Sequence, residues 1–97
     1  MPSYIHLIQF RDQGIRNIQD TVKRGDAAIA EAKKMGIKIV EEYWTMGAYD
    51  GVVILEAPDD ETMSAFSLRV GSLGNVKGQT LRAFRRNEME GILAKIK

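Results

Sequence analysis

Three side chains offer this sequence its means of proton chemistry: His6, Asp50 and Arg82. His6 is the only histidine among 97 residues. An imidazole with a near-neutral reference pKa can shuttle a proton or act as a single axial haem ligand. Its plainer role is that of a hydrogen-bonded residue on a half-buried strand. Asp50 sits beside a glycine turn, where a carboxylate serves as a general base if burial raises its pKa. The same residue can instead accept hydrogen bonds from turn amides. Arg82 is placed to hold a substrate carboxylate or to pair with Asp50. Metal sites need several converging ligands. No such spacing is present and the chain has no cysteine, so neither metal nor cofactor is expected.

Aromatic residues supply the second candidate surface. Tyr43, Trp44 and Tyr49 gather the only tryptophan and two of the three tyrosines around Gly47. Rings with a polar handle suit the wall of a small-molecule pocket. They equally suit the stapling of a hairpin or an interface. Gly71-Ser72-Leu73-Gly74-Asn75 does not read as a phosphate cradle. It follows a helix rather than leading from a strand into one, so no helix N-terminus faces an anion.

These residues must be positioned by the elements around them. Tyr4 to Phe10 is rich in β-branched and aromatic residues and reads as a first strand. Asp12-Gln13-Gly14 ends it with turn residues, and Ile15 to Gln19 is a connector of no assigned type. Asp20 or Thr21 can cap a helix running to about Met35, with Val22, Ala28, Ile29, Ala32 and Met35 on its buried side. Gly36 fits the left-handed position that ends it. Ile37 to Met46 and Val52 to Ala57 are the second and third strands. Gly47 lies in the turn between them, and Asp50-Gly51 is a competing turn signal.

Pro58-Asp59-Asp60-Glu61 is a helix start, with an aspartate cap and acidic groups at the positive end of the dipole. Met63, Phe66 and Val70 make its buried stripe. Val76 to Phe84 is a fourth strand. Asn87, with Glu90 three residues on, resembles a capping box before an amphipathic helix carrying Met89, Ile92, Leu93 and Ile96. The predicted order is βαββαβ plus a C-terminal helix. That is an α+β, ferredoxin-like arrangement over residues 1–97 as one domain.

Composition narrows the function classes. Apolar residues make up 44% and charged residues 28%, an ordinary globular balance, and the net charge is +1. Such a charge gives no steering toward nucleic acid or anionic membranes. RNA-recognition motifs share this element order but stack bases on strand aromatics. Val52-Val53-Ile54-Leu55 has none, so nucleic acid is not an expected partner. No apolar stretch approaches the ~20 residues of a membrane span, and a cytoplasmic location is the expectation.

The two central strands are apolar on both parities. Tyr4, Ile8 and Phe10 oppose Ile5 and Leu7, and Val52 and Ile54 oppose Val53, Leu55 and Ala57. A sheet with one wet face alternates instead. A second copy of the sheet is the simplest cover, which predicts a face-to-face, two-fold dimer. The alternative is cover by the C-terminal helix.

Trp44-Thr45-Met46-Gly47, one free position, and Tyr49-Asp50 resemble the hallmark of the GYD-domain family. Asp12-Gln13-Gly14-Ile15, Glu56 to Thr62, Leu73-Gly74-Asn75-Val76 and Thr80 to Phe84 extend the resemblance over nearly the whole chain. It implies membership of the dimeric α/β-barrel group, with antibiotic-biosynthesis monooxygenases and muconolactone isomerases among its relatives. Activity does not transfer across that group, and the family supplies no established catalytic residues. His6 lies outside its pattern. The expected function is an oligomeric small-molecule-binding protein. The alternatives are a cofactor-independent enzyme using His6, Asp50 or Arg82, and a structural oligomerisation module.

Overall fold

The computed structural model describes residues 1–96. It contains strands β1 (Ser3–Phe10), β2 (Lys38–Trp44), β3 (Gly51–Glu56) and β4 (Val76–Ala83). Its helices are α1 (Asp12–Arg16), α2 (Thr21–Lys34), α3 (Asp60–Ser72) and α4 (Arg86–Leu93), with a 3-10 turn at Ile18–Asp20. The strands form one antiparallel sheet in the order β2-β3-β1-β4. This is the ferredoxin-like fold expected from the alternation of strand and helix signals. The segment expected to be a turn at Asp12-Gln13-Gly14 is instead helix α1, and the unassigned connector continues into the 3-10 turn.

The pleat decides what is buried. Tyr4 and His6 on β1, and Val53 and Leu55 on β3, point to the face covered by α2 and α3. There they meet Ala32, Ile37, Ala57, Met63 and Phe66 to form the core. Asp59 caps α3 by accepting from the Thr62 amide at 2.7 Å, the bond that Pro58-Asp59-Asp60-Glu61 foretells. That bond holds the Asp59 carboxyl below its usual range. Tyr4 donates to Asp60 on the same helix, tying β1 to the start of α3.

Three expectations are corrected. Val22 and Ile29 are 57% and 39% exposed, not buried. At 100° per residue the inward face of α2 centres on Gly25, Ala28 and Ala32; these small residues let the helix lie close to the sheet and turn the two β-branched ones outward. Helix α4 starts two residues earlier than the Asn87 cap predicts. Arg85 occupies the cap position, and its amide donates to Glu88 at 3.0 Å. Strand β2 stops at Trp44, and the Asp50-Gly51 pair does not form the hairpin tip. Gly51 sits in β3 opposite Trp44, while Gly47 takes the positive φ of 110°.

The second face of the sheet carries Ile5, Leu7, Val52 and Ile54, all half-buried. Leu81 of β4 and Tyr43 of β2 lie on the same face. Helix α4 buries none of its residues, so it does not act as the lid that one alternative requires. Met89, Leu93 and Ile96 of its stripe remain exposed.

Candidate functional site

A cavity of about 280 Å³ opens between the sheet and the two helices packed on it. Its floor is His6, Ile8, Val53 and Leu55; its walls include Gly25 and Ala28 of α2 and Phe66 and Val70 of α3. Trp44 and Glu42 of β2 close one side. The volume lies just below the usual range of about 300–1,000 Å³ for ligand pockets, enough for a compact ring system.

His6 is buried, at 5% exposure. Its Nδ1 shares a hydrogen bond of 2.9 Å with the Thr80 hydroxyl, directly across β4. Burial disfavours the imidazolium and pulls the pKa down, so the ring is neutral at neutral pH. Room for it comes from Gly78. A Cβ at that position would lie 2.3 Å from both Cε1 and Nε2 of the imidazole. Gly78 has no positive φ, so the close approach of the ring, not the backbone, requires a glycine there.

Glu42 is the polar group that sequence reasoning missed. It pairs with Val53 across the sheet, and Val53 pairs with His6. Glu42, Val53, His6 and Thr80 therefore form one transverse row across the sheet, and the first three line the cavity. The register shift between Ile39 and Glu41 puts Glu42 on the inward side. Burial, then the neighbouring Asp26, raises its pKa. Gly25, in mid-helix, leaves space for it: a Cβ there would stand 3.1 Å from Glu42 Oε2.

Asp50 lines the same cavity, but its carboxylate accepts from the Phe10 amide at 2.8 Å. Its own amide donates to the Ile8 carbonyl, and its carbonyl accepts from Thr45. Asp50 thus fastens the hairpin to the end of β1. Trp44 lines the cavity and donates its indole N–H to Thr21 at 3.0 Å. Tyr43 contributes to the rim, while its register opposite Val52 puts it on the other sheet face. Tyr49 is not among the lining residues; its hydroxyl donates to Gln79 at 3.2 Å.

Arg82 lies at the far end of β1, opposite Tyr4. Its guanidinium stacks over Phe84 at 4.5 Å and Tyr4 at 5.7 Å, and lies 3.7 Å from Glu88. It does not meet Asp50 or line the cavity. Of the three proton-handling candidates, only His6 and Asp50 share a site. Among the described residues no three His, Asp or Glu side chains converge as metal ligands. Among the same residues, no helix is long and apolar enough to cross a membrane.

A family model described as the GYD domain matches residues 4–93, so the chain belongs to that family. A Thermus thermophilus protein named glutamine synthetase and cystathionine beta-lyase binding protein is 32% identical over 84 residues, covering 86% of this chain and 88% of the relative. The crystal structure of TTHA0845, also from Thermus thermophilus, superposes with a TM-score of 0.62 at 29% identity, over 88% of this chain and 95% of that one. The crystal structure of FFRP-DM1 gives 0.60 at 16% identity, over 87% and 100%, a likeness of fold alone.

Proposed function

We propose that this GYD-domain protein binds a small organic molecule in the cavity between its sheet and helices α2 and α3. The observation that carries this is the pairing of an apolar enclosure with polar groups turned into it. His6 and Glu42 are held inward at positions where Gly78 and Gly25 make room for them. Aromatic and aliphatic walls with few polar contacts are what ligand pockets present. The test is a fragment screen read by amide chemical shifts. Hits should move the amides of His6, Ile8 and Val53, and lose their effect in Ala28→Phe, which fills the cavity. Hits that bind elsewhere, or persist in the filled variant, overturn the proposal.

The same proposal has the protein working as two copies with their open sheet faces together. Its support is the half-buried apolar row Ile5, Leu7, Val52 and Ile54, which no helix covers. Apolar patches above a few hundred Å² are uncommon on monomers. Sedimentation should give a dimer or a multiple of one, and Ile54→Lys should yield monomer. A monomer at micromolar concentration for the unmodified chain refutes it.

A second reading is a protein-binding module. The printed name of the Thermus relative favours it, as do the outward Val22, Ile29 and Leu68 on α2 and α3. Co-sedimentation with glutamine synthetase from the same host is the direct check. Separate sedimentation of the two proteins removes this reading and leaves the cavity untouched.

A further inference from the structure

The polar groups lining the cavity are not equally available. Arg24 donates to the Asn17 and Gly14 carbonyls at 2.7 and 3.2 Å. Arg69 is placed against Glu31 at 3.7 Å. Asp50 holds the Phe10 amide and Thr21 receives the Trp44 indole. Two groups remain. Among the described residues the Glu42 side chain makes no hydrogen bond and no ion pair, and the buried His6 has no partner at Nε2.

An anionic ligand would find both lining arginines already engaged. It would also face the Glu42 carboxylate, which burial and then repulsion by the neighbouring Asp26, outside the lining, already disfavour. A cationic ligand relieves that repulsion and gives Glu42 the partner it lacks. Neighbouring strands lie about 4.8 Å apart, so Glu42 and His6, separated by Val53, have backbones about 10 Å apart. Both side chains line the cavity, with the His6 ring leaning to the β4 side, its Nδ1 on Thr80 and its Nε2 over Gly78. An apolar ring fits between them, with Trp44 at the side.

We propose that the cavity selects a protonated amine carried on an aromatic ring, with Glu42 taking the ammonium and His6 taking a hydrogen-bonding group at the ring's far end. This rests on the small-molecule reading above and names the ligand class for that same site. Neither Gly25 nor Gly78 is required by backbone conformation, since the positive-φ glycines are Gly36, Gly47 and Gly74. In a helix or strand interior glycine carries a stability cost. Both costs are borne where Glu42 and His6 need space.

The experiment titrates the unmodified protein with three probes that share one ring: tryptamine, tryptophol and indole-3-propionate. Isothermal calorimetry at pH 7 gives the affinities, and amide shifts locate the site. Tryptamine should bind about tenfold or more tighter than the other two, the effect of one charge-assisted contact. Glu42→Gln should remove that preference by lowering tryptamine affinity toward that of tryptophol, and Glu42→Asp should keep most of it. Equal affinity for amine and alcohol overturns the amine inference but leaves the cavity reading standing. So does a preference that survives Glu42→Gln. No amide shift at His6 or Val53 with any of the three probes overturns both.

Discussion

A methyl group on Gly78 tests whether His6 is built into the cavity floor or merely rests there. The added Cβ would stand 2.3 Å from two imidazole atoms, whereas ordinary contact begins near 3.4 Å. The ring must move by about 1 Å. It has little freedom to do so, being buried and bonded to Thr80 at 2.9 Å. Overpacking of this kind costs about 1–3 kcal/mol, and loss of the His6–Thr80 bond adds about 1 kcal/mol. Against this, alanine replaces a strand glycine with a gain of about 0.5–1 kcal/mol. Gly78→Ala should therefore destabilise by about 2 kcal/mol, a fall in melting temperature of roughly 8–16 °C for a domain this size. The decisive control is the same change in a His6→Ala background. With the ring gone, only the alanine gain remains, and Gly78→Ala should become neutral or stabilising. Urea unfolding of the four proteins gives a coupling energy of about 2–3 kcal/mol. Equal losses in both backgrounds, or no loss in the wild-type background, would show that the ring does not depend on the missing side chain.

Acid should weaken the fold through His6. Its folded pKa is depressed by burial, so the unfolded chain binds the proton first. The contribution is full above the unfolded value of about 6.5 and falls as pH drops below it. Urea midpoints at pH 7 and 5.5 should differ more for the wild type than for His6→Gln; equal differences refute the assignment. At the alkaline end, Tyr4 is pushed up to about 12 by burial and by Asp60. Stability should then fall between pH 10 and 12 as the unfolded chain ionises first, and Tyr4→Phe should lose that dependence. Gly14→Ala places a Cβ 2.1 Å from the Asn75 carbonyl oxygen, a backbone atom that cannot swing aside. A loss of at least about 3 kcal/mol is expected, and a thermal midpoint within about 2 °C of wild type contradicts it. Gly25→Ala should do the opposite, stabilising α2 by about 0.5–1 kcal/mol while crowding Glu42 at 3.1 Å. Melting should rise and tryptamine affinity should fall; unchanged affinity would mean that Glu42 has slack.

What the sequence disclosed follows from how local each signal is. Strands β1 and β3 are short apolar runs whose pleat fixes their faces, and the Asp59 cap of α3 is a bond across three residues. The inward face of α2 is misread from sequence because Val22 and Ile29 are the more hydrophobic residues. Close helix–sheet packing instead selects Gly25, Ala28 and Ala32 for their size. Glu42 is hidden by the irregular pairing between Ile39 and Glu41. A strict period of two puts Ile39 and Glu42 on opposite faces, and the shift brings them to the same one. The one available clue is Trp44, two residues beyond Glu42 and so on its side of the strand. Nothing local marks Gly78 as the seat of the His6 ring, because the two are far apart in the chain and meet only through the β1–β4 pairing.

Three of the segments that carry the family resemblance, around Gln13, Asn75 and Asp50, meet at one end of β1, and what they do there bears on where function resides. Gln13 donates to the Leu73 carbonyl and to Asn75 Oδ1, each at 2.9 Å. Gly14 packs on the Asn75 backbone, and the Arg11 amide donates to the Asn75 carbonyl at 2.9 Å. On the neighbouring strand edge, Trp44 to Asp50 is fastened to β1 through Asp50–Phe10, Asp50–Ile8 and Gln9–Ala48 bonds. These two knots clamp the same end of β1, beside the cavity, from either side. Their hydrogen bonds run to backbone groups and to side chains such as Asn75, Thr21 and Gln79, so on the proposed reading they shape the cavity without choosing its contents. His6 and Glu42 are the reverse: both face the cavity with unspent polar atoms, and neither belongs to the shared motif. If the cavity binds a ligand as proposed, the motif supplies the frame and Glu42 and His6 the choice of ligand. Substitutions in the knots should lower stability and affinity for every probe together. Substitutions at Glu42 should re-rank the probes at nearly unchanged stability. If Asp50→Ala re-ranks amine against alcohol as strongly as Glu42→Gln does, this division between frame and floor is wrong.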